Sequence, residues 1–325
     1  MSRGQCLLIG LLLSLGLAAC SQSVTPTEYT KGFPTPELLS FRTITPSTTP
    51  SKPSASPTVL LTEPKPTKTK PTASIPTEST PSITPTTQVD CWDDGGRIEI
   101  KQLESDWLPD PLDYRVYTPP CYDQQSDRYF PVLFLIHGQS FREDQWERLG
   151  AGEIADTLIA AGELTSFIMV MPRDSQDRTP PPENQFGEAL LFDLIPRIDG
   201  DYRTIPDRRF RAIGGISRGG NWAIHLGLTY WGFFGSVGAH STPTFIADGP
   251  KVIQKWLAEI PFDELPRLYL DTGKNDTWLA STLQFEQILD DEGIPHEWYL
   301  FPGHHDEKYW AAHMEQYIRW YAAIW

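Results

Sequence analysis

The segment Gly215–Gly220 reads GISRGG, a G-x-S-x-G pattern centred on Ser217. A reactive serine in this pattern lies on a tight turn between a strand and a helix, where side chains at the glycines would crowd it. The motif lies between a predicted strand, Phe210–Gly214, and a predicted helix, Asn221–Thr229. The backbone N–H of the next residue lies at the N-terminus of this helix, where it can stabilise the oxyanion that forms when the serine attacks a carbonyl group. The pattern therefore predicts Ser217 as a nucleophile and the Arg218 N–H as an oxyanion donor.

A serine nucleophile needs a base, and the base needs an orienting carboxylate. In α/β architectures with a reactive serine on this turn, the carboxylate and the base both follow the serine along the chain. The predicted strand Leu268–Leu270 leads into a loop with Asp271 and Asp276, and we favour Asp276 because it lies farther into the loop. His304 and His305 are adjacent in the loop before the last helix. The spacing predicts that one of these two histidines is the base.

The second oxyanion donor is expected in the loop after the first buried strand. That loop contains His137, Gly138 and Gln139, and its glycine allows the N–H groups to turn inward. The Gln139 N–H is our candidate, whereas His137 is interpreted as structural. Residues 304–307 make a poor metal site, because adjacent residues seldom chelate one ion together. The sequence predicts neither a metal nor a cofactor.

Apolar runs and helical spacings alternate along the chain after residue 90. The predicted strands are Arg97–Lys101, Asp113–Tyr117, Pro131–Ile136, Phe167–Met171, Phe210–Gly214, Phe233–Ala239, Leu268–Leu270 and Trp298–Phe301. The predicted helices are Gly152–Ala161, Phe186–Ile198, Asn221–Thr229, Leu279–Leu289 and one at the end of the chain. Pro196 is expected to kink or end its helix early. The alternation predicts an α/β fold with a mostly parallel sheet, which binds ligands at the carboxyl ends of its strands.

The first 20 residues have the pattern of an export signal. Arg3 precedes an apolar run that is too short to span a bilayer comfortably, and small residues come before Cys20. This ending resembles the lipobox of bacterial lipoproteins, in which the cysteine is lipidated. The alternative is an ordinary secretory signal with an incidental cysteine. The lipobox interpretation predicts an extracytoplasmic protein of the cell envelope, attached to a membrane through acyl chains.

Residues 21–89 are predicted to form a disordered linker rich in threonine, proline and serine. Thirteen of the 30 prolines lie there among many threonines and serines, so little apolar surface is available to offset the entropy of ordering. Residues 90–325 are then predicted to form one domain. The chain has 27 basic and 42 acidic residues, and its net charge of −15 argues against a nucleic-acid partner.

Cys91 and Cys121 are the cysteines that remain beyond the signal and the lipid site. Export to an oxidising compartment allows a disulfide between them, which would tie the start of the domain to the strand that follows. Two free thiols are the alternative. The oligomeric state is left open by the sequence.

Several segments together resemble the "Putative esterase" (esterase D-like) family of α/β-hydrolases, from Asp113 to Trp325. They are Arg115–Tyr122, Tyr129–Gly138, Ala212–Gly220, Leu270–Asp276 and Gly303–Trp310. The resemblance implies an α/β-hydrolase fold with Ser217 as nucleophile and Asp276 as acid. His305 matches the family's Gly-x-His placement and is implied as the base. Arg218 stands where methionine is frequent, and its charge is expected to alter the pocket mouth in favour of an acidic or polar substrate.

The resemblance implies a serine carboxylic-ester hydrolase. For a protein tethered at the cell surface, feruloyl or acetyl esters on polysaccharide are the expected substrates. Siderophore esters and acyl transfer are alternatives within the same family. A surface module that binds without catalysis is the alternative from a different class, and it predicts a distorted or broken triad.

Overall fold

The computed structural model describes residues 95–325. The predicted signal, Cys20, the proline-rich linker and Cys91 lie outside the described residues. Eight strands form one sheet in the order β1-β2-β4-β3-β5-β6-β7-β8. The strands are β1 Arg97–Leu103, β2 Leu112–Thr118, β3 Val132–Ile136, β4 Ile168–Pro172, β5 Arg211–Ile216, β6 Ser236–His240, β7 Arg267–Gly273 and β8 Glu297–Phe301. The pairings of β2 with β1 and β4 are antiparallel and the others are parallel, so the predicted α/β-hydrolase type of sheet is confirmed.

Helices cover both faces of this sheet. They are α1 Gln145–Arg148, α2 Ala151–Ala160, α3 Phe186–Glu188, α4 Ile195–Asp201, α5 Arg218–Thr229, α6 Pro250–Glu259, α7 Leu279–Asp291 and α8 Glu307–Ala322. Helices α2 and α8 supply one apolar core, whereas α3 to α7 supply the other. In β3, Phe134 packs into the second core and its neighbours Leu133 and Leu135 into the first. This alternation explains why buried parallel strands read as continuous apolar runs.

The helix around Pro196 continues further than expected. It runs as α3, a wider π-helical segment Ala189–Leu194, and α4, in which Pro196 lies in the first turn. Proline has no N–H to donate to the carbonyl four residues earlier in an α-helix. The wider π-helical turn directly before Pro196 lets the chain stay helical without that hydrogen bond. Helix α6 was not predicted, although Ile253 and Leu257 give it an apolar stripe against the core.

The register of the parallel strands brings the loops after them to one edge of the sheet. Ile136 pairs with Gly215, and Ile216 pairs with His240. His240 pairs with Asp271, so the carboxyl ends of β3, β5, β6 and β7 lie side by side. Ligands of open α/β sheets bind at this edge. The predicted catalytic residues follow these strands or β8, whereas the alternative carboxylate Asp271 lies within β7.

Cys121 is disulfide-bonded, and its partner lies outside the described residues. The predicted pairing with Cys91 therefore stays a prediction. Within residues 95–325, no helix combines the length and the apolar character needed to span a membrane.

Candidate active site

Ser217 occupies a strained turn between β5 and α5. Its φ of 53° is in the left-handed region, which is unusual for a residue other than glycine. A Cβ on Gly215 would lie 2.0 Å from the backbone of Gly219, and a Cβ on Gly219 would lie 2.1 Å from the Ile136 carbonyl oxygen. Glycine is therefore required at both motif positions. The Ser217 N–H donates to the His240 carbonyl at 2.8 Å, which fixes the turn to β6.

His305 is the histidine that reaches the serine. Its Nε2 lies 2.9 Å from the Ser217 Oγ, whereas the neighbouring His304 side chain is exposed to solvent. The Trp310 ring packs edge to face against His305, with the ring centroids 5.2 Å apart. The structure therefore brings together Ser217 and His305, in agreement with the Gly-x-His placement.

Asp276 lies behind His305, on the side away from the serine. Its two carboxylate oxygens are 3.1 and 3.0 Å from His305 Nδ1, and Oδ1 also accepts the Trp278 N–H at 2.7 Å. Burial acts to raise the pKa of Asp276, but the hydrogen bonds from His305 and Trp278 outweigh it and the net pKa lies below its usual range. A carboxylate that stays ionised and accepts from Nδ1 leaves Nε2 free to accept the serine proton.

Because the pKa of Asp276 is lower in the folded chain than in the unfolded one, its stabilising contribution is present above the unfolded value, about 3.9. The contribution is lost as pH falls through the folded pKa. We expect the free energy of unfolding of the wild type to exceed that of Asp276→Asn at pH 7, and the gap to close below about pH 4. Urea unfolding of both proteins across this range measures the gap. A constant gap would show that the Asp276 charge does not contribute.

Asp271, the other carboxylate considered from the sequence, belongs to a separate buried network. Its Oδ1 lies 2.7 Å from His240 Nδ1, and its Oδ2 accepts the hydroxyl protons of Tyr309 and Tyr317 at 2.5 and 2.8 Å. The Asp271 side chain is fully buried. Asp271 therefore joins β6, β7 and α8 beneath the site, and it makes no contact with His305.

The two predicted oxyanion donors lie next to the serine. Gln139 lines the same cavity as Ser217 and His305, and Arg218 is the first residue of α5. The close approach of α5 to the end of β3 brings their loops together at this point. Within the described residues, neither the Gln139 N–H nor the Arg218 N–H donates to a protein acceptor. The absence of a protein acceptor is compatible with the predicted role of both N–H groups as oxyanion donors.

The Arg218 side chain corrects an expectation of the sequence analysis. The guanidinium is buried and its Nε donates to Asp174 Oδ2 at 2.9 Å, while Nη2 donates to the Thr179 carbonyl at 2.5 Å. It does not line the cavity beside Ser217. The expected charge at the pocket mouth is wrong, because a buried carboxylate directly after β4 neutralises it.

Asp174 is a residue that sequence reasoning missed. Besides Arg218, its carboxylate accepts from Trp222 Nε1 and Asn184 Nδ2, at 2.9 and 2.8 Å. Its backbone N–H donates to His137 Nε2 at 3.0 Å, while His137 Nδ1 contacts the Gly138 carbonyl at 2.8 Å. Burial lowers the pKa of His137, which favours the neutral ring that this arrangement requires. A carboxylate just past the carboxyl end of a buried strand was the available signal.

Arg218→Met tests whether this ion pair fixes the loops around the serine. The substitution leaves the buried Asp174 without its cationic partner, although two neutral side-chain donors remain. We expect a loss of about 3 kcal/mol in the free energy of unfolding. The matched control is Arg209→Met, since Arg209 is exposed and pairs with Asp207 in solvent. Equal urea midpoints for the two variants would contradict the structural role of Arg218.

A cavity of about 550 Å³ opens over Ser217. Its wall includes the aromatic side chains Phe141, Trp278 and Trp310, and its rim carries charged residues of the α8 start. Trp278 is 47% exposed, which is unusual for so large an apolar side chain. The cavity therefore has aromatic side chains beside the serine, and Trp278 is the most exposed of them.

The sheet, the strained turn at Ser217 and the order serine, aspartate, histidine define an α/β-hydrolase. A model of the family described as "Putative esterase" matches residues 105–321, which is more than half of the chain. The chain belongs to this family, as its sequence motifs indicated.

Individual relatives agree with this membership. The chain is 33% identical over 153 residues to an endo-1,4-beta-xylanase/feruloyl esterase of Xylanibacter ruminicola, covering 43% of this chain and 21% of that protein. It is 26% identical over 250 residues to an esterase of Mycobacterium tuberculosis, covering 61% and 51%. The chain thus spans about half or less of the length of these curated relatives. A ferulic acid esterase structure, 24% identical, superposes with a TM-score of 0.64 over 71% of this chain and 98% of that one, which shows the shared fold.

Proposed function

We propose that this protein hydrolyses carboxylic esters through a covalent acyl-enzyme. The observation that carries the proposal is the continuous hydrogen-bonded chain from Ser217 Oγ through His305 to Asp276. Hydrogen-bonded groups in this order are the arrangement in which a neutral imidazole activates a serine hydroxyl. Membership of an esterase family supports the same reaction.

The reaction proceeds in two steps. His305 Nε2 takes the Ser217 proton as Oγ attacks the ester carbonyl, and the N–H groups of Gln139 and Arg218 stabilise the oxyanion. Asp276 stabilises the imidazolium, which returns its proton to the leaving alcohol as the acyl-enzyme forms. A water molecule, deprotonated by His305, then attacks the acyl carbon and releases the acid. The serine regains its proton from the imidazolium, so protons balance over the cycle.

A fluorophosphonate probe tests the proposal directly, because it reacts with a serine that a base has activated. We expect one covalent adduct per chain, mapped by mass spectrometry to the peptide that contains Ser217, together with hydrolysis of p-nitrophenyl acetate. A chain that binds carbohydrate without catalysis would give neither. Denatured protein is the control for nonspecific labelling.

We further propose feruloyl esters on polysaccharide as the substrates. The aromatic wall of the cavity offers stacking surface for a planar phenolic acyl group, and the serine lies in the same cavity. One relative is described as an endo-1,4-beta-xylanase/feruloyl esterase, and one structural neighbour as a ferulic acid esterase. A panel of feruloyl, acetyl-xylan and siderophore esters, compared by kcat/KM, distinguishes this proposal from the alternatives. Higher kcat/KM on either of the other substrates would reject it.

Trp278→Ala tests the aromatic surface. Removal of a stacking ring is expected to raise KM for methyl ferulate by about tenfold, equivalent to roughly 1.4 kcal/mol, and to leave KM for an acetyl ester nearly unchanged. The control is Trp107→Ala, because Trp107 is also partly exposed but does not line the cavity. Equal changes for both esters would indicate that Trp278 does not recognise the acyl ring.

We propose that the domain acts at the cell envelope, attached through lipidated Cys20. The apolar run and the small residues before this cysteine support the proposal. Expression of the full chain with Cys20→Ala is expected to move the esterase from the membrane fraction to the soluble fraction. Palmitate labelling of the wild type and not of the variant is the accompanying readout. An unchanged distribution and absent labelling would contradict the anchor.

A further inference from the structure

Three side chains with metal-ligand chemistry meet where α7 leads into β8. Glu286 and Asp290 lie one turn apart on α7, and His296 immediately precedes β8. One ligand atom from each side chain lies within 4.8 Å of the other two. The ligand atoms of a tetrahedral zinc ion are about 3.4 Å apart at normal bond lengths. Small movements of the two carboxylate ends would therefore complete the geometry.

His296 is oriented as a metal ligand would be. Its Nδ1 lies 2.9 Å from the Ile294 carbonyl oxygen, which can only accept, so Nδ1 carries the proton of the neutral ring. The lone pair is then on Nε2, which lies 3.9 Å from Asp290 Oδ1 and makes no hydrogen bond within residues 95–325. The side chain is only 8% exposed. In this tautomer, the Nε2 lone pair of His296 faces a carboxylate oxygen of Asp290, and both atoms are hydrogen-bond acceptors. The Ile294 carbonyl holds the proton on Nδ1, as a second hydrogen-bond partner does for histidines that bind metals.

His296 is the basic side chain that lies against the two carboxylates. In the described part of the chain, no lysine or arginine forms an ion pair with Glu286 or Asp290. Glu286 and Asp290 are like charges four residues apart, a spacing that destabilises a helix. The neighbouring Asp291, by contrast, accepts a hydrogen bond from Gln287. With a neutral His296, the cluster carries two negative charges and one free imidazole lone pair.

We propose that Glu286, Asp290 and His296 form a structural binding site for a divalent cation of the zinc type, completed by water. One imidazole and two carboxylates are ligands that Zn²⁺ accepts in proteins. The site joins the end of α7 to the start of β8. It is separate from the esterase site, because His296 precedes the amino end of β8 and His305 follows its carboxyl end.

The test is thermal unfolding of the chelator-treated full-length protein with and without ZnCl₂. At 100-fold excess over Kd, we expect zinc to raise the Tm by about 5 °C, with one ion bound per chain by calorimetry. His296→Gln is expected to abolish this shift, and Asp291→Asn on the same helix is the control that keeps it. Addition of CoCl₂ in place of zinc should give a d–d absorption band that His296→Gln removes.

Glu286→Gln provides a second readout that a simple ion pair with protonated His296 would not give. It removes the like-charge contact, so the metal-free variant is expected to melt at the same or a higher temperature than the wild type, yet to lose the zinc shift. A His296–Asp290 ion pair without a metal predicts no zinc shift in the wild type or in any variant. The absence of a zinc shift in the wild type, or an equal shift in His296→Gln, would overturn the proposal.

Discussion

Ser217→Ala is expected to lower kcat for p-nitrophenyl acetate by about six orders of magnitude. The loss is large because no neighbouring group can form the acyl-enzyme once Oγ is gone. Residual turnover above the rate in water would come from the oxyanion donors and substrate binding. We expect the variant to fold, because alanine is smaller than serine and keeps the hydrogen bond from the backbone N–H of residue 217 to the His240 carbonyl.

The control for this experiment is Ser126→Ala, which removes an exposed hydroxyl that contacts only Asp127. It should retain wild-type kcat and the fluorophosphonate adduct, whereas Ser217→Ala should lose both. Circular dichroism and Tm establish that both variants are folded. Retention of more than a hundredth of the wild-type kcat by Ser217→Ala would reject Ser217 as the nucleophile.

Asp276→Asn is expected to lower kcat by about four orders of magnitude. An amide at this position can donate to Nδ1, which would place the imidazole proton on Nε2 and prevent it from accepting the serine proton. The comparison variant is Asp271→Asn, the other carboxylate of the same strand and loop. Measurement of kcat and of the free energy of unfolding for both variants distinguishes a catalytic carboxylate from a structural one.

Asp271→Asn is expected to act mainly on stability. Its carboxylate contacts His240 Nδ1 and accepts two tyrosine protons in a fully buried position, so an amide leaves mismatched donors there. We expect a loss of about 3 kcal/mol in the free energy of unfolding, with kcat of the folded fraction within tenfold of the wild type. A large loss of kcat in Asp271→Asn, with near-normal kcat in Asp276→Asn, would reverse the assignment.

The fold followed from patterns that are local in the sequence. The runs PVLFLI and FIMVM predicted strands β3 and β4, because a strand buried on both faces needs apolar residues at every position. Helix α6 was missed since its apolar stripe is short and flanked by polar residues. Pro196 was predicted to kink its helix or end it early, but the helix continues to Asp201 after a π-helical segment that precedes the proline.

The chemistry of the site was partly determined by sequence as well. Gly215 and Gly219 specify a turn that other residues cannot form. The local sequence therefore predicts the turn, the serine on it and the N–H that follows the serine. Loop order also placed a carboxylate and a histidine after the serine. The turn depends on chain neighbours alone, whereas the carboxylate and the histidine were predicted from the order of loops in this architecture.

The tertiary structure separates chemically equivalent neighbours that residue type alone does not distinguish. His304 and His305 are the same residue type, and the backbone path into α8 turns His305 toward Ser217 and His304 toward solvent. The depth of Asp271 in β7 directs it to His240, whereas the loop returns Asp276 to His305. Arg218 was misread because its partner Asp174 is 44 residues away, and a charge can be assigned to a pocket or a buried ion pair only when both partners are located. Sequence specifies which groups are present along the chain, and packing determines which distant groups neutralise or orient one another.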